Sequence, residues 1–546
     1  MEKFTFPCGC SFDLLDKSKE LPSIDFNPTI ENINLDCSLC WELIGSGNTK
    51  GCFQLESRLG QMMAKKLKPE NIEQLGALIS ILRPGCLEAY RDGKSVSNHY
   101  IDKKNGEESI DYYHESLEPI LEKTYGEMIY QEQAMQIVQT IAGFDLQEAD
   151  MLRKAIGKKK PEEMAKIKKK FIKGCKKQKI VNENEAKEIF GWIEKSQRYS
   201  FNKSHAISYA INAYLSAYAK CHFPKIFFAS YLRFAKDKID PHQEIKELVR
   251  NALEMDIYVS NPDIRLQNEL FTLKNKIIYF GLTDIKGVGL AVFKKTQKLI
   301  KDYGEDLDLN NGLETLVKVL SNINVNAAKA LIMSGAMDYT KKTRTSMILE
   351  LETINTLTKK EKSYLLNNYD FRNDKDQVIK KLLQFLLNDT NIKINRNRRS
   401  IIADAIHNID NPPYSLQDKI EWLSDAEYEL LGTSISCSKI DSYDISMTNS
   451  DCKMFKSDPV SKKIILAAEI ANVNVVKTKK GKNPGKEMAF VTIQDQHGSI
   501  DSVVLFPEQF SIFRNDIITG NVLIFMGQKN KNKDSLIVEK CFEPSS

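Results

Sequence analysis

Three groups of side chains in this 546-residue chain have the types and spacing to do chemistry. The first is cationic. Arg153 and Lys154 fall in the last turns of a helix pattern that starts at Asp145, and Lys203 and His205 flank Ser204 ahead of a strong amphipathic run. Ser204 is a good N-cap residue, so the free backbone N–H groups beyond it form an anion site with Lys203 and His205. Two cation-bearing helix ends close in sequence suit a triphosphate. The competing reading is that these cations are solvated, and that Arg153 and Lys154 offset a helix dipole. Spacing alone leaves the two level.

The second group is cysteine. Cys8-Gly9-Cys10 and Cys37-Ser38-Leu39-Cys40 are two close pairs, and their four thiolates are a candidate tetrahedral Zn2+ site. The first pair has one intervening residue, tighter than the usual knuckle, and the second reads equally well as buried small residues. The third group is lysine. Lys158, Lys159 and Lys160 open a dense run that reaches Lys179, and Lys479 and Lys480 sit in a basic loop from Lys477 to Lys482. Clustered lysine near aromatics suits a DNA backbone, although such runs are more often a solvated face.

The elements that must position these groups can be read from periodicity. Ala134 to Ala142 carries its apolar residues on one helical face and breaks at Gly143. Asp145 with Glu148 has the spacing of a capping box, and that helix buries Ala149, Leu152 and Ile156 before stopping near Gly157. Pro161 starts a third helix, and Ile207, Ala210, Ile211, Tyr214, Leu215 and Tyr218 form one face of a fourth that ends before Pro224. Residues 86–104 read as a loop. Toward the end the period changes: 464–470, 488–493, 500–505, 522–526 and 536–538 read as five strands, fitting an OB-fold. Phe490 and Phe506 are its candidate base-stacking residues, or barrel core.

Composition bounds the rest. An apolar fraction of 42% is ordinary for a globular chain, and a net charge of +5 is mild, so basicity matters only where it is local. No apolar run approaches the ~20 residues of a membrane span, and the N-terminus lacks a signal pattern. Eleven scattered cysteines argue for a reducing compartment, so the protein is expected to be cytoplasmic.

Several longer stretches, in one order, carry a resemblance. Glu122-Lys-Thr-Tyr-Gly126, Tyr130-Gln-Glu-Gln133, Ala149-Asp-Met-Leu-Arg-Lys-Ala155, Gly157-Lys-Lys-Lys-Pro-Glu-Glu-Met164 and Phe201-Asn-Lys-Ser-His205 look like the bacterial DNA polymerase III alpha subunit, a C-family polymerase. Cys52-Phe-Gln-Leu-Glu-Ser57 and Ile81-Leu-Arg-Pro-Gly85 resemble further signatures of that family. Asp284-Ile-Lys-Gly-Val-Gly289 resembles a helix-hairpin-helix, whose Gly-x-Gly turn lets backbone amides approach a DNA phosphate.

The resemblance implies a mainly α-helical, multidomain chain with a C-terminal OB β-barrel. Its expected parts are a cysteine-containing segment (1–50), a palm–fingers boundary (51–115), fingers (116–235), a helix-hairpin-helix region (236–345), a helical connector (346–460) and the OB domain (461–546). It also implies that Arg83, Arg153, Lys154, Lys203 and His205 contact the incoming nucleotide. Lys158, Lys159, Lys160, Lys286, Gly287, Gly289, Lys479 and Lys480 would contact primer–template DNA. In relatives a sliding-clamp peptide lies near the connector. Gln384-Phe-Leu-Leu387 would be its remnant, though a helical core run explains it at least as well.

Polymerase chemistry needs carboxylates that hold Mg2+. No Asp-x-Asp run followed by Phe occurs in the chain, and Lys3-Phe4-Thr5-Phe6 has threonine where the family has its third aspartate. Glu88, Asp92 and Asp102 lack supporting spacing, and Asp306-Leu-Asp308 reads as a surface turn. The expectation is therefore the C-terminal part of a divided polymerase, completed by a chain that carries the palm aspartates. Such a division would suit a compact phage or mobile genome. The rival expectation is a non-catalytic DNA-binding or tethering module derived from the polymerase.

Overall fold

A computed structural model describes residues 3–16, 23–24, 33–157, 161–196, 199–372, 374, 377–460, 462–478, 484–530 and 535–545, without the side chains of 14–16, 23–24, 156–157 and 161–163. The chain forms two compact units, Met1–Phe227 and Phe228–Ser546.

The first unit is helical and has two cores. One is built on the helix Lys203–His222, which lays Ala206, Ala210, Ala213 and Ala217 against the helix Ile72–Ile81. Small side chains let the two backbones approach closely: a Cβ on Gly76 would sit 2.9 Å from Ile207. The second core joins helices Gln131–Ala142, Leu146–Gly157, Pro161–Gln178 and Glu183–Ser196 around Ile137, Val138, Ile141, Leu152, Phe171 and Phe190. Burying each large apolar side chain contributes about 1.5–3 kcal/mol.

Helix ends follow the sequence closely in this unit. Gly143 takes the left-handed conformation (φ 68°) after Ala142. Asp145 and Glu148 form the capping box, with Glu148 N donating to Asp145 Oδ1 at 2.8 Å and Asp145 N to Glu148 Oε2 at 3.3 Å. Two expectations are corrected. The N-cap of Lys203–His222 is Asn202, not Ser204: the Asn202 side chain accepts from His205 N at 2.8 Å, which draws Ser204 into the first turn. Residues 86–104 are not a loop. The helix Pro84–Glu88, a two-stranded hairpin (Tyr90–Arg91 with Lys94–Ser95) and the helix Val96–Lys104 fill that stretch. Asp92-Gly93, both with positive φ, makes the tight turn.

The second unit begins with helices and a small three-stranded sheet. It continues through Leu290–Tyr303 and further helices to Ile420–Leu431, and ends in a closed barrel. The barrel strands are Lys463–Lys477, Glu487–Asp495, Gly498–Leu505, Val522–Lys529 and Leu536–Phe542. In sequence order their pairing is one with two, two with three, three with five (parallel), five with four and four with one, an OB-like closure. The first strand outruns its apolar core, because its ladder with the second continues to Lys477 where side chains are exposed. Phe490 and Phe506 are 39% and 46% exposed, so neither fills the barrel. Gln384-Phe-Leu-Leu387 lies in the helix Ile379–Asn388, where Leu382, Leu383 and Leu386 are buried, as a core run requires. Among the described residues no helix is long and apolar enough to cross a membrane.

Candidate nucleotide and DNA interface

Arg83, Lys203 and His205 come together around aromatic rings. Extended backbone at Ile129–Tyr130 meets Phe201: Phe201 N donates to Ile129 O at 2.9 Å and Gln131 N to Phe201 O at 3.0 Å. This joins the starts of helices Gln131–Ala142 and Lys203–His222. The Arg83 guanidinium lies over the Phe201 ring at 5.0 Å, and Lys203 Nζ lies 5.8 Å from the Tyr130 ring. The His205 ring packs between Phe201 (5.4 Å) and Tyr209 (4.1 Å), and Tyr209 stacks on Phe53 at 5.2 Å. Phe53, in the Phe-Gln-Leu-Glu-Ser stretch, is thereby built into the same platform. Among the described residues no carboxylate pairs with Arg83. Lys203 Nζ stands 4.0 Å from Glu73, which is already paired with Lys123 at 3.0 Å.

The helix N-terminus is not bare. Glu132 accepts from Lys203 N at 2.9 Å and from Asn202 Nδ2 at 2.6 Å, and Asn202 takes the His205 amide. The anion site expected there thus already holds a carboxylate, and an arriving phosphate meets side-chain cations before backbone amides. Glu132, Tyr130, Phe201, Tyr209 and Phe53 were missed as site residues. Tyr209 was legible, since it lies one helical turn from His205.

Arg153 and Lys154 are not part of this group in the contacts they make. Both turn to Asp150 on their own helix, at 2.8 and 2.7 Å. Hydrogen bonds from Lys154 and then Arg153 hold the Asp150 carboxyl below its usual range. Some of the following lysines also have internal partners: Lys170 binds Glu148 and lies over Phe144, and Lys168 lies over Phe190. Lys158, Lys159, Lys160, Lys479 and Lys480 lie outside the described residues.

The Gly-x-Gly turn has the form expected of it. Gly287 sits at φ 90°, and Gly289 caps the helix Leu290–Tyr303. A Cβ on Gly289 would touch nothing within 4 Å, and one on Gly287 would reach only Ala330 at 4.0 Å. The turn therefore faces open space. Lys286 N is engaged, donating to Leu430 O at 2.9 Å, while its ammonium makes an exposed 3.5 Å pair with Glu429. Below the turn, burial pushes the Asp284 carboxyl up to about 7 against the pull of Lys236 and the Phe271 amide. Arg344 anchors this unit from within. At 3% side-chain exposure it reaches Glu427 and Asp338, both at 2.7 Å, and Glu427 also accepts from Asn261, Ser436 and the Ile435 amide.

The cysteine expectation needs one correction. Cys8, Cys10, Cys37 and His222 converge, with their ligand atoms all within 4.8 Å of one another. Cys40 does not join them. It points to Tyr214 O at 3.9 Å, and burial pushes its thiol far up, with Cys221 adding to the rise. Cys40 lies one turn beyond Cys37 on the helix Ser38–Ser46 and is turned inward, which puts the fourth ligand at the far end of the Lys203–His222 helix. Burial also raises the Cys8 thiol, but hydrogen bonds from the Cys10 backbone and from His222 outweigh it and bring Cys8 to about 7. Among the described residues no group of three or more carboxylates converges at metal-binding spacing, so those residues show no fit for the Mg2+ of polymerase chemistry. Asp102 pairs with Lys94 at 2.7 Å, and Asp306 is a surface residue beside Arg372.

Two stretches of the chain match known protein families. Residues 12–179 match the bacterial DNA polymerase III alpha subunit finger domain, and residues 256–347 match a helix-hairpin-helix motif. The DNA polymerase III subunit alpha of Aquifex aeolicus is 30% identical over 96% of this chain and 40% of its own length. That of Haemophilus influenzae is 32% identical over 91% of this chain and 40% of its own, and that of Pasteurella multocida 38% over 59% and 27%. The chain thus spans about two-fifths of the length of the first of these relatives. Arg83, Arg153 and Lys154 fall within the matched finger domain, and Lys286, Gly287 and Gly289 within the matched hairpin motif. In sequence the chain is similar over most of its own length to bacterial DNA polymerase III alpha subunits, and what it matches is a C-terminal part of them.

Proposed function

We propose that this chain supplies the nucleotide- and DNA-gripping part of a template-directed DNA polymerase. The observation that carries this reading is the open group of Arg83, Lys203 and His205 on the Phe201–Tyr209–Phe53 aromatic platform. Aromatic faces hold the cations in place without neutralising them, so their charge is left for a triphosphate. Arg153 and Lys154 give up Asp150 to join when nucleotide binds, and Glu132 yields the helix amides. The Gly287–Gly289 turn and the barrel, with Phe490 and Phe506 outermost, hold the primer–template, as do the lysines at 158–160 and 479–480.

Palm aspartates of a partner chain would hold the Mg2+ that polymerase chemistry needs. The work is cytoplasmic. Primer extension tests the reading, with this chain alone and then mixed with a chain bearing palm aspartates of the same family. Activity in the mixture alone supports it, and Lys203→Ala or Arg153→Ala then slows nucleotide addition more than it weakens DNA binding. Salt-sensitive DNA binding without extension in either arm transfers the chain to the tethering reading.

A further inference from the structure

The cysteine–histidine cluster has no part in nucleotide grip. We propose that Cys8, Cys10, Cys37 and His222 hold one Zn2+ ion, which fastens the strands Lys3–Thr5 and Ser11–Asp16 to the C-terminal end of the Lys203–His222 helix.

Three observations carry this. The first is spacing. A tetrahedral ion with Zn–S near 2.3 Å and Zn–N near 2.0 Å sets ligand atoms roughly 3.5–3.8 Å apart. Cys8 Sγ and Cys37 Sγ lie 3.3 and 3.8 Å from His222 Nε2, and all four ligand atoms fit within 4.8 Å. The second is the orientation of the imidazole. His222 Nδ1 lies 3.0 Å from Tyr218 O, one turn back on the same helix. Cys221 Sγ lies at the same distance from Nδ1, and donation from Nδ1 to the Tyr218 carbonyl leaves the Nε2 lone pair facing the sulfurs, the arrangement that metal-bound histidines adopt. The third is the scaffold. Phe6 N donates to Cys10 O at 2.8 Å and Gly9 N to Phe6 O at 2.9 Å, with Gly9 at φ 85°, so the turn presents both thiols of Cys8 and Cys10 inward despite their tight spacing. Phe6 (4.8 Å), Phe12 (6.0 Å) and Tyr218 (4.1 Å) pack around the imidazole, and three of the four ligand residues are buried.

An unmetallated group of this kind would bury polar sulfur and nitrogen with only weak partners. A divalent ion on three thiolates satisfies all four at once. Binding deprotonates the three thiols, releases their protons to solvent and changes no oxidation state.

The test is metal content and spectroscopy of the full chain, purified from zinc-supplemented medium without chelator. About one zinc per chain is expected. Replacement by Co2+ should give the visible bands of a tetrahedral ion together with thiolate charge-transfer absorption. Cys37→Ser and His222→Ala should each lower zinc content at least fivefold, whereas Cys40→Ser and Cys221→Ser should retain it. His222→Cys guards against simple misfolding: it should keep the metal and raise the charge-transfer intensity by about a third, as a fourth thiolate joins three. Removing the metal should speed hydrogen exchange at the Phe6 and Gly9 amides and leave the 117–193 core unchanged. Failure of zinc to accompany the wild-type chain, with no cobalt bands, overturns the proposal. So does loss of metal in Cys40→Ser with retention in His222→Ala. None of these readouts depends on extension activity.

Discussion

Arg83 and Arg344 are both arginines at the start of a helix, yet their surroundings differ in kind. Arg344 is sealed from water and spends its donors on Glu427, Asp338 and Met333 O. Arg83 rests on the Phe201 ring, and among the described residues no acid pairs with it. A buried charge must be fully partnered or it destabilises the fold, so Arg344 serves stability and has nothing left for a ligand. A charge on an aromatic face at the surface keeps its field. The difference separates cations that build the molecule from cations that await an anion.

The comparison breaks first at Arg344. Arg344→Ala leaves Glu427 buried and unpaired, and should cost about 3–5 kcal/mol, read as a lower urea midpoint for the second unit. Arg83→Ala should leave that midpoint unmoved, and an equal loss would erase the distinction. Next comes nucleotide use. In the reconstituted polymerase, Lys203→Ala should reduce kcat/KM for nucleotide about ten- to hundredfold, or roughly 1.4–2.8 kcal/mol, with its thermal midpoint unchanged. Glu132→Gln should sharpen the picture by improving nucleotide affinity a fewfold, because the helix amides then face a neutral competitor.

Acid and base titrations separate two carboxyls, the buried Glu427 and the half-buried Asp284. Burial opposes the ionisation of Glu427, but Arg344 and then Ser436 outweigh it and hold the pKa below 4.5. Its unfolded form therefore binds protons first, and the stability it supplies above pH 4.5 disappears as pH falls through the folded value. Asp284 has the opposite sign. Raised from 3.8 to about 7, it keeps its proton in the fold. Stability should decline as pH rises between those values and level off above about 7, at no more than about 1.4 kcal/mol per pH unit. Asp284→Asn should flatten that slope in urea titrations. The smallest effect is expected at the hairpin: Lys286→Ala should lower the salt dependence of DNA binding by about one ion, with little loss of affinity at low salt.

Local signals were legible and distant partnerships were not. The capping box at Asp145, the break at Gly143, the Gly-x-Gly turn and the five barrel strands rest on residues a few positions apart, and all stand in the structure. The Asp92-Gly93 turn was legible too, since such a pair between short extended runs marks a hairpin. The flanking strands are two residues each, too short for an alternation to show in the sequence. Other features could not be read locally. Ser204 and Asn202 are both good caps, and the choice fell to Glu132, which fastens Asn202 from another helix. Cys40 has the right element and the right spacing to Cys37, but His222 takes its place from 185 residues beyond Cys37. Composition names the chemistry, and tertiary contact selects the atom.

The helix Lys203–His222 is secured by residues made long before it. Glu132 holds its first turn across 71 positions, Asn48 and Lys50 receive Lys220 across 172 and 170, and Cys8 meets His222 across 214. Closing loops of that length is entropically slow and precedes any reward from the contacts themselves. During synthesis the first unit therefore waits, its N-terminal segment unseated, until the last turn of this helix has left the ribosome. The element that completes the fold of residues 1–227 is also nearly the last to be translated, so a chain interrupted just before residue 222 keeps the Glu132 contacts at the helix start and loses the His222 contact at its end.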